Sequence, residues 1–313
     1  MGFAGAMVMA MAIDAVLGWP ERLFRLIGHP VTWLGRLIDR VDSACNRDFD
    51  PPAFRCAAGA AATLMLIALP TILAWIVQAQ LTTTWSRIFI AGVLAWPLVA
   101  LRSLHDHVAA VAHPLGAGDI ETARAAVSRI VGRDSSSLDE PGIARASIES
   151  LAENTSDGVI APLFWGMIFG LPGIVGYKVI NTLDSMIGHR TRRHEAFGWA
   201  AARIDDVANY IPARLTGVLF ALLSTDRRVA MWCMICDGPR HRSINAGWPE
   251  AAMAGALGVR LSGPRSYNGK PTEEPWLNAG ARDPRAGDID NALKLYRRAM
   301  LLFAVLLLIL ALM

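Results

Sequence analysis

Apolar positions along the chain gather into a few long runs, and those runs predict the architecture. Residues 57–77 carry no charge, and at 1.5 Å per residue a helix of that length crosses the roughly 30 Å hydrocarbon core of a bilayer. Residues 2–17 are apolar apart from Asp14, 88–101 run apolar between Trp85 and Arg102, and 300–313 are wholly apolar after Arg297 and Arg298. Each predicts a span, with Trp and Arg at the interfaces. Two other apolar stretches are interrupted. Residues 158–177 lack charge but contain Pro162 and Pro172, and Gly170-Leu171-Pro172-Gly173 reads as a turn. Residues 211–223 hold Pro212 and Arg214 and are short for a crossing. Irregular backbone at membrane depth is tolerated where protein buries it or where it lines a cavity. The expectation is one all-α, polytopic membrane domain over 1–313, with broken or re-entrant helices at 158–177 and 211–223 around a cytoplasm-facing site.

Composition agrees with a membrane protein. Charged residues make up 18% of the 313 positions, against roughly 25% in soluble domains. Mean hydropathy is +0.35. These values exclude a disordered chain, and a net charge of +3 gives no electrostatic case for nucleic acid. The N-terminal run lacks a basic leader and reads as a retained span rather than a signal peptide. Lys and Arg concentrate in 19–55, 102–157 and 225–298, while 79–87 holds only Arg87. The positive-inside rule places those three segments in the cytoplasm. The 178–206 segment carries Lys178, Arg190, Arg192, Arg193 and Arg203, which places it inside as well and favours re-entry of both broken stretches.

Cys233 and Cys236 form a CxxC, but Met231, Trp232, Met234 and Ile235 surround it and no second ligand pair is near. Small apolar side chains on a helix are the expected reading. The run Gly263 to Thr272 imitates a phosphate-binding loop. Its spacing is one residue too long and Pro271 intrudes, so only Arg265 and Lys270 remain as anion contacts there.

Polar residues become dense from 119 to 217. Asp119 is placed to cap a helix over 119–131 with Glu121 in its first turn, and Arg129 and Arg133 would share a face if that helix continued. Glu149, Glu153 and Asp157 recur at i, i+4 and i+8, a carboxylate face that repels itself unless Arg145 or a cation compensates it. Lys178, Asn181 and Asp184 follow at i, i+3 and i+6, with His189 and Arg190 beyond. Ionisable groups at the mouth of an apolar hairpin are costly and point to function. Asp205, Asp206 and Asn209 suit a hard cation, although adjacent Asp205 and Asp206 diverge on a helix, so one of them at most joins Asn209. Carboxylates, arginines and one lysine, without a thiol or serine nucleophile motif, fit Mg²⁺-assisted transfer on a phosphorylated substrate.

The residues resemble a known family, the adenosylcobinamide-phosphate synthases of cobalamin biosynthesis. The resemblance covers nearly the whole chain. It rests on Asp14 with Gly18-Trp19-Pro20, on Gly28-His29-Pro30-Val31 with Gly35, and on Val127 to Asp134. It continues through Glu149 to Pro162, Tyr177 to Arg190, and Phe197 to Asp206 with Asn209, Pro212 and Arg214. The resemblance implies ATP- and Mg²⁺-dependent amide ligation of adenosylcobyric acid to aminopropanol or its phosphate, in the bacterial cytoplasmic membrane. The implied partners are the corrinoid, the amine, ATP and membrane lipid, with room for homo-oligomers and for contact with other membrane enzymes of the pathway.

At the positions that the resemblance supports, residue chemistry suggests roles. Asp157, Asp184 and Asp205 would hold Mg²⁺, and Arg129, Arg133 and Arg214 would bind phosphate. Lys178 would stabilise the transferred phosphoryl group, and Glu153 or His189 would take a proton from the attacking amine. Asn154, Asn181, Arg190, Arg203 and Asn209 complete the expected substrate contacts. Two other classes stand beside this one: a non-catalytic corrinoid-binding scaffold, and another Mg²⁺-dependent membrane transferase such as a CDP-alcohol phosphotransferase. Pro162 stands where the latter's DGxxAR pattern has arginine.

Overall fold

The computed structural model describes residues 2–131, 135–267 and 270–313, with the backbone alone at 265–267 and 270–272. In chain order the helices are α1 (Gly2–Leu17), α2 (Glu21–Ile27), α3 (Pro30–Cys45), α4 (Pro52–Ala79), α5 (Thr84–Ala95), α6 (Leu101–Gly116), α7 (Ile120–Val127), α8 (Glu140–Thr155), α9 (Ala161–Phe169), α10 (Leu171–Leu183), α11 (Trp199–Ala208), α12 (Tyr210–Leu223), α13 (Arg227–Asp237), α14 (Gly247–Leu257) and α15 (Ala286–Leu312). Four short strands lie between α14 and α15: β1 (Leu261–Ser262), β2 (Arg265–Tyr267), β3 (Lys270–Thr272) and β4 (Trp276–Leu277). β1 pairs with β4 and β2 with β3, both antiparallel. The 263–272 run is thus strand–hairpin–strand and not a loop opening a helix; the side chains of Arg265 and Lys270 lie outside the described residues.

Among the described residues, three helical stretches are long and apolar enough to cross a membrane: Pro52–Ala79 (28 residues), Thr84–Gly116 (33 residues) and Ala286–Leu312 (27 residues). They contain the runs 57–77 and 88–101, and the run 300–313 as far as Leu312. On α4, Leu64, Leu69, Ile72, Leu73 and Trp75 are exposed, as lipid-facing positions would be. The run 2–17 differs from a simple span. α1 stops at Leu17, Gly18 takes a positive φ of 56°, and Gly2–Leu17 is bent 106° from Glu21–Cys45. At 16 residues, about 24 Å, α1 alone falls short of the hydrocarbon thickness.

The chain forms two compact units. The first comprises 1–100, 161–209 and 306–313; the second comprises 101–160 and 210–305. In the first, the break expected in 158–177 is a helical hairpin. α9 and α10 pack against each other and turn at Gly170, whose φ of +72° suits glycine. The turn is stapled from α4: Gln78 accepts the Leu171 N–H at 2.7 Å and donates to the Phe169 carbonyl at 3.3 Å. The core under α10 joins Ile38, Leu66, Val179, Leu183, Ile187 and Phe197. In the second unit α12 packs on α13 and α14. Pro212 takes a first-turn position in α12, where its missing N–H costs nothing, so the helix runs without an interior break.

Candidate functional site

Among the described residues two π-helical turns interrupt the α-helices, at Ser156–Ile160 and at Asp184–Gly188. They carry Asp157 and Asp184, one in each unit. A π turn sacrifices regular geometry and recurs at functional sites. Sequence spacing did not reveal either turn.

In the first unit the polar groups collect where α10 ends and α11 lies. Tyr177, Val179, Thr182 and Leu183 are buried, while Lys178, Asn181 and Asp184 are half-buried. Lys178 and Asn181, three apart on α10, share a face, and Asp184 opens the π turn that follows. Burial pushes the Asp184 carboxyl above its ordinary pKa; the charge of His189 opposes this and the Asp206 carboxylate reinforces it. Asp184 thus shares its surroundings with a second carboxylate and an imidazole. A Cβ at Gly188 would overlap Asp184 Oδ1, so a larger residue there would displace the carboxyl.

α11 sorts its two adjacent aspartates. Asn209 donates from Nδ2 to Asp205 Oδ2 at 3.0 Å and accepts the Tyr177 hydroxyl at 2.7 Å. Asp206 pairs with Arg203 at 3.3 Å, and its charge adds to the rise of the Asp184 carboxyl. Trp165 fixes the end of α11 by donating to the Ala208 carbonyl at 3.0 Å. Asp205 is therefore the aspartate that joins Asn209, and Asp206 is the one that acts on Asp184. The sequence groups both aspartates with Asn209 as suited to a hard cation and selects Asp205 as the ligand; the i, i+4 spacing to Asn209 is the signal that favours Asp205.

The loop bearing His189 and Arg190 is held from α3. Asp42 accepts two hydrogen bonds from the Arg193 guanidinium, at 2.9 and 2.8 Å, and lies 3.4 Å from His194 Nε2. Asn46 donates to Asp42 at 2.7 Å and to the Arg193 carbonyl at 3.0 Å, and Arg55 also donates to that carbonyl. At the loop's end Gly198 lies against the Ile187 carbonyl, where any Cβ would overlap the oxygen. His189 and Arg190 themselves are exposed.

The second unit uses several predicted residues structurally. Arg145 pairs with Asp283 at 2.5 Å rather than with the α8 carboxylates. Arg260 holds the same Asp283 at 2.6 Å, and both guanidiniums lie over the Trp276 ring, at 4.6 and 4.3 Å. Buried Glu149 accepts the backbone N–H of Ser262 at 2.6 Å; Ser262 has a φ of 60°. The carboxylate face expected over Glu149, Glu153 and Asp157 thus divides: Glu149 braces β1, Glu153 is exposed, and Asp157 enters the π turn. Asn154 folds back onto the Ser150 carbonyl at 2.9 Å.

Arg214 is clamped between Tyr210 and Trp248, 3.4 and 4.4 Å from their ring centroids. It donates to the Tyr210 carbonyl at 2.7 Å and to Asn245 Oδ1 at 3.2 Å. Asp119 caps α7 by accepting from Thr122 N–H at 3.1 Å, as its position predicts. α7 nevertheless ends at Val127, so the helix does not carry Arg129 onto a face with Arg133. Arg129 is exposed in the following turn, and Arg133 lies outside the described residues. Cys233 is buried and its thiol is pushed up to about 11 by burial, with Asp237 and Cys236 adding to the shift. That agrees with the inert reading of the CxxC.

Within either unit, the described residues bring no three His, Cys, Asp or Glu side chains together as a ready-made metal cage. The Asp184 and Asp206 pair is nevertheless the donor chemistry that Mg²⁺ takes, because this ion commonly uses one or two carboxylates and completes its shell with water and phosphate oxygens.

Comparison with known proteins agrees with the resemblance. The family model described as CobD/Cbib protein matches residues 7–296. The chain is 60% identical over 300 residues to the cobalamin biosynthesis protein CobD of Rhodobacter capsulatus, covering 96% of this chain and 95% of that one. It is 46% identical to the Brucella suis protein of the same name (93% and 92% covered) and 43% identical to that of Sinorhizobium fredii (94% and 92%). No solved structure gives a significant match. With a family model across most of its length and relatives this similar end to end, the chain belongs to the CobD/Cbib family of cobalamin biosynthesis.

Proposed function

We propose that the protein is an ATP-dependent amide ligase of the bacterial cytoplasmic membrane, with its site on the cytoplasmic side. It joins the carboxylate of adenosylcobyric acid to the amine of aminopropanol or aminopropanol phosphate. The observation that carries this reading is the placement of Lys178 on α10 and Asp184 on the π turn that follows, with Asp206 and His189 acting on Asp184. Two carboxylates held near each other beside a lysine suit a nucleotide phosphate with its cation.

In this reading a corrinoid carboxylate oxygen attacks the γ-phosphorus of ATP, the bond to the bridging oxygen breaks, and ADP leaves. The amine then attacks the acyl carbon, and phosphate departs with the original carboxylate oxygen. Lys178 donates to the transferred phosphoryl group as charge shifts onto it. Asp184 and Asp206 would hold Mg²⁺, which when bound neutralises charge on the nucleotide phosphates. Exposed His189 receives the proton of the attacking ammonium, whose neutral form is the nucleophile. Asn181 shares the α10 face of Lys178 and contacts substrate, and Arg190 and Arg203 supply positive charge at the edge. Asn209 and Tyr177 hold Asp205 in place.

An ¹⁸O label tests the chemistry. With the corrinoid carboxylate labelled, the acyl-phosphate route sends one ¹⁸O into inorganic phosphate. Label found in AMP, or retained wholly in the corrinoid, contradicts it.

A further inference from the structure

His29 precedes α3 and is set there by an unusual density of indole contacts. Trp19 Nε1 donates to the Gly28 carbonyl at 3.2 Å, and Trp33 Nε1 donates to the Ile27 carbonyl at 2.8 Å. Trp96 Nε1 reaches back to the Gly18 carbonyl at 3.0 Å. The Trp19 ring meets the His29 ring edge-on at 4.9 Å and lies 5.3 Å from Trp96. Gly28 adopts a φ of +75° to make the approach.

The tautomer of His29 follows from one bond. Its Nδ1 lies 3.1 Å from the Val31 backbone nitrogen, and an N–H can only donate. Nδ1 is therefore the acceptor, and the neutral ring carries its hydrogen on Nε2. Protonating Nδ1 would set two hydrogens against each other and lose the cap. Among the described residues no group accepts from Nε2. α3, which His29 caps, packs against α10 of the same unit, and the charge of Lys178 on α10 acts on this ring. An unengaged N–H within reach of a cation calls for an anion. Two donors arriving from different elements suit the separate oxygens of a phosphoryl group; a planar carboxylate is better matched by the fork of one arginine.

We propose that His29, through Nε2–H, binds the same phosphoryl group as Lys178 and is a substrate-binding residue of the site. The assignment rests on the reading of Lys178 as a phosphate-handling group in the ligation. In the sequence His29 stood only as part of the Gly28-His29-Pro30-Val31 string and had no role.

Two substitutions separate the two ring nitrogens. His29→Asn places an amide oxygen where Nδ1 accepts, keeping the cap, but offers nothing at Nε2. His29→Gln reaches the Nε2 position with an amide N–H and gives up the cap. The full chain in lipid nanodiscs is titrated with inorganic phosphate while its Tm is followed in parallel. We expect His29→Asn to keep the wild-type Tm and to bind phosphate roughly tenfold more weakly, as loss of one hydrogen bond to a charged group implies. His29→Gln should hold wild-type affinity within about threefold despite a lower Tm. Lys178→Met should weaken phosphate as His29→Asn does. Wild-type affinity in His29→Asn, or a loss confined to His29→Gln, overturns the proposal. Should His29→Asn fail to fold, a tenfold loss in folded His29→Gln overturns it alone. Phosphate binding requires no turnover, so this pattern in a protein that forms no amide would leave the His29 site standing while the ligase reading falls. Normal turnover with phosphate binding indifferent to His29 would do the reverse.

Discussion

The Tyr177 hydroxyl donates to Asn209 Oδ1 at 2.7 Å, and Asn209 in turn donates to Asp205 at 3.0 Å. This chain ties α10 to α11 through three side chains, of which Asn209 is 1% exposed. Tyr177→Phe removes the donor and leaves a buried amide oxygen unsatisfied. The expected cost is about 1–3 kcal/mol, read as a lower Tm in the same detergent or nanodisc. An unchanged Tm would show that the bond does not hold the helices together.

Asp184 makes an opposite prediction. Its folded-state pKa is raised, so the folded protein binds that proton more tightly than the unfolded chain does. Ionised Asp184 therefore costs stability above its folded pKa. The difference disappears below the unfolded value of about 3.9, where both states are protonated. Asp184→Asn should raise Tm at neutral pH, lose that advantage as the pH falls, and abolish turnover. Added Mg²⁺ should raise the Tm of the wild type and not of the variant. A Tm below wild type at neutral pH would contradict the electrostatic account.

The cysteines separate by environment. Cys236 is exposed, whereas Cys233 is buried and its thiol is held at about 11. Iodoacetamide at pH 8 should alkylate Cys236 and spare Cys233, as read by peptide mass spectrometry. Equal labelling of both would reopen a redox or metal role for the pair.

The basic residues of 178–206 predict the side on which the site opens. Arg192→Cys, with the four native cysteines replaced by serine, should react with a membrane-impermeant maleimide only from the cytoplasmic face. Labelling only from the opposite face would turn the site outward and remove cytoplasmic ATP as its co-substrate.

Much of this architecture was legible in the sequence because it follows from short-range rules. The apolar run 57–77 lies inside α4, the Gly170 turn falls where glycine and proline cluster, and Asp119 caps α7. The shared face of Lys178 and Asn181 follows from helical period. What escaped depends on contacts distant in sequence or on irregular backbone. Glu149 is spent on Ser262, 113 positions away, and Arg145 on Asp283, 138 away, so their helical spacing misdirected the reading. The π turns at Asp157 and Asp184 leave no periodic trace. The shared face of Arg129 and Arg133 required a helix that ends at Val127. For Asp205 and Asp206, adjacency shows that two aspartates diverge without showing which way each goes.

The central claim is amide-bond formation, and product mass tests it most directly. Purified full-length protein in nanodiscs is given adenosylcobyric acid, aminopropanol phosphate, ATP and Mg²⁺, with Asp184→Asn in parallel. The account predicts a corrinoid whose mass is the sum of corrinoid and amine less one water, formed only with ATP and absent with Asp184→Asn. Corrinoid that binds but returns at its original mass, with ATP uncleaved, would contradict the account and make the protein a scaffold.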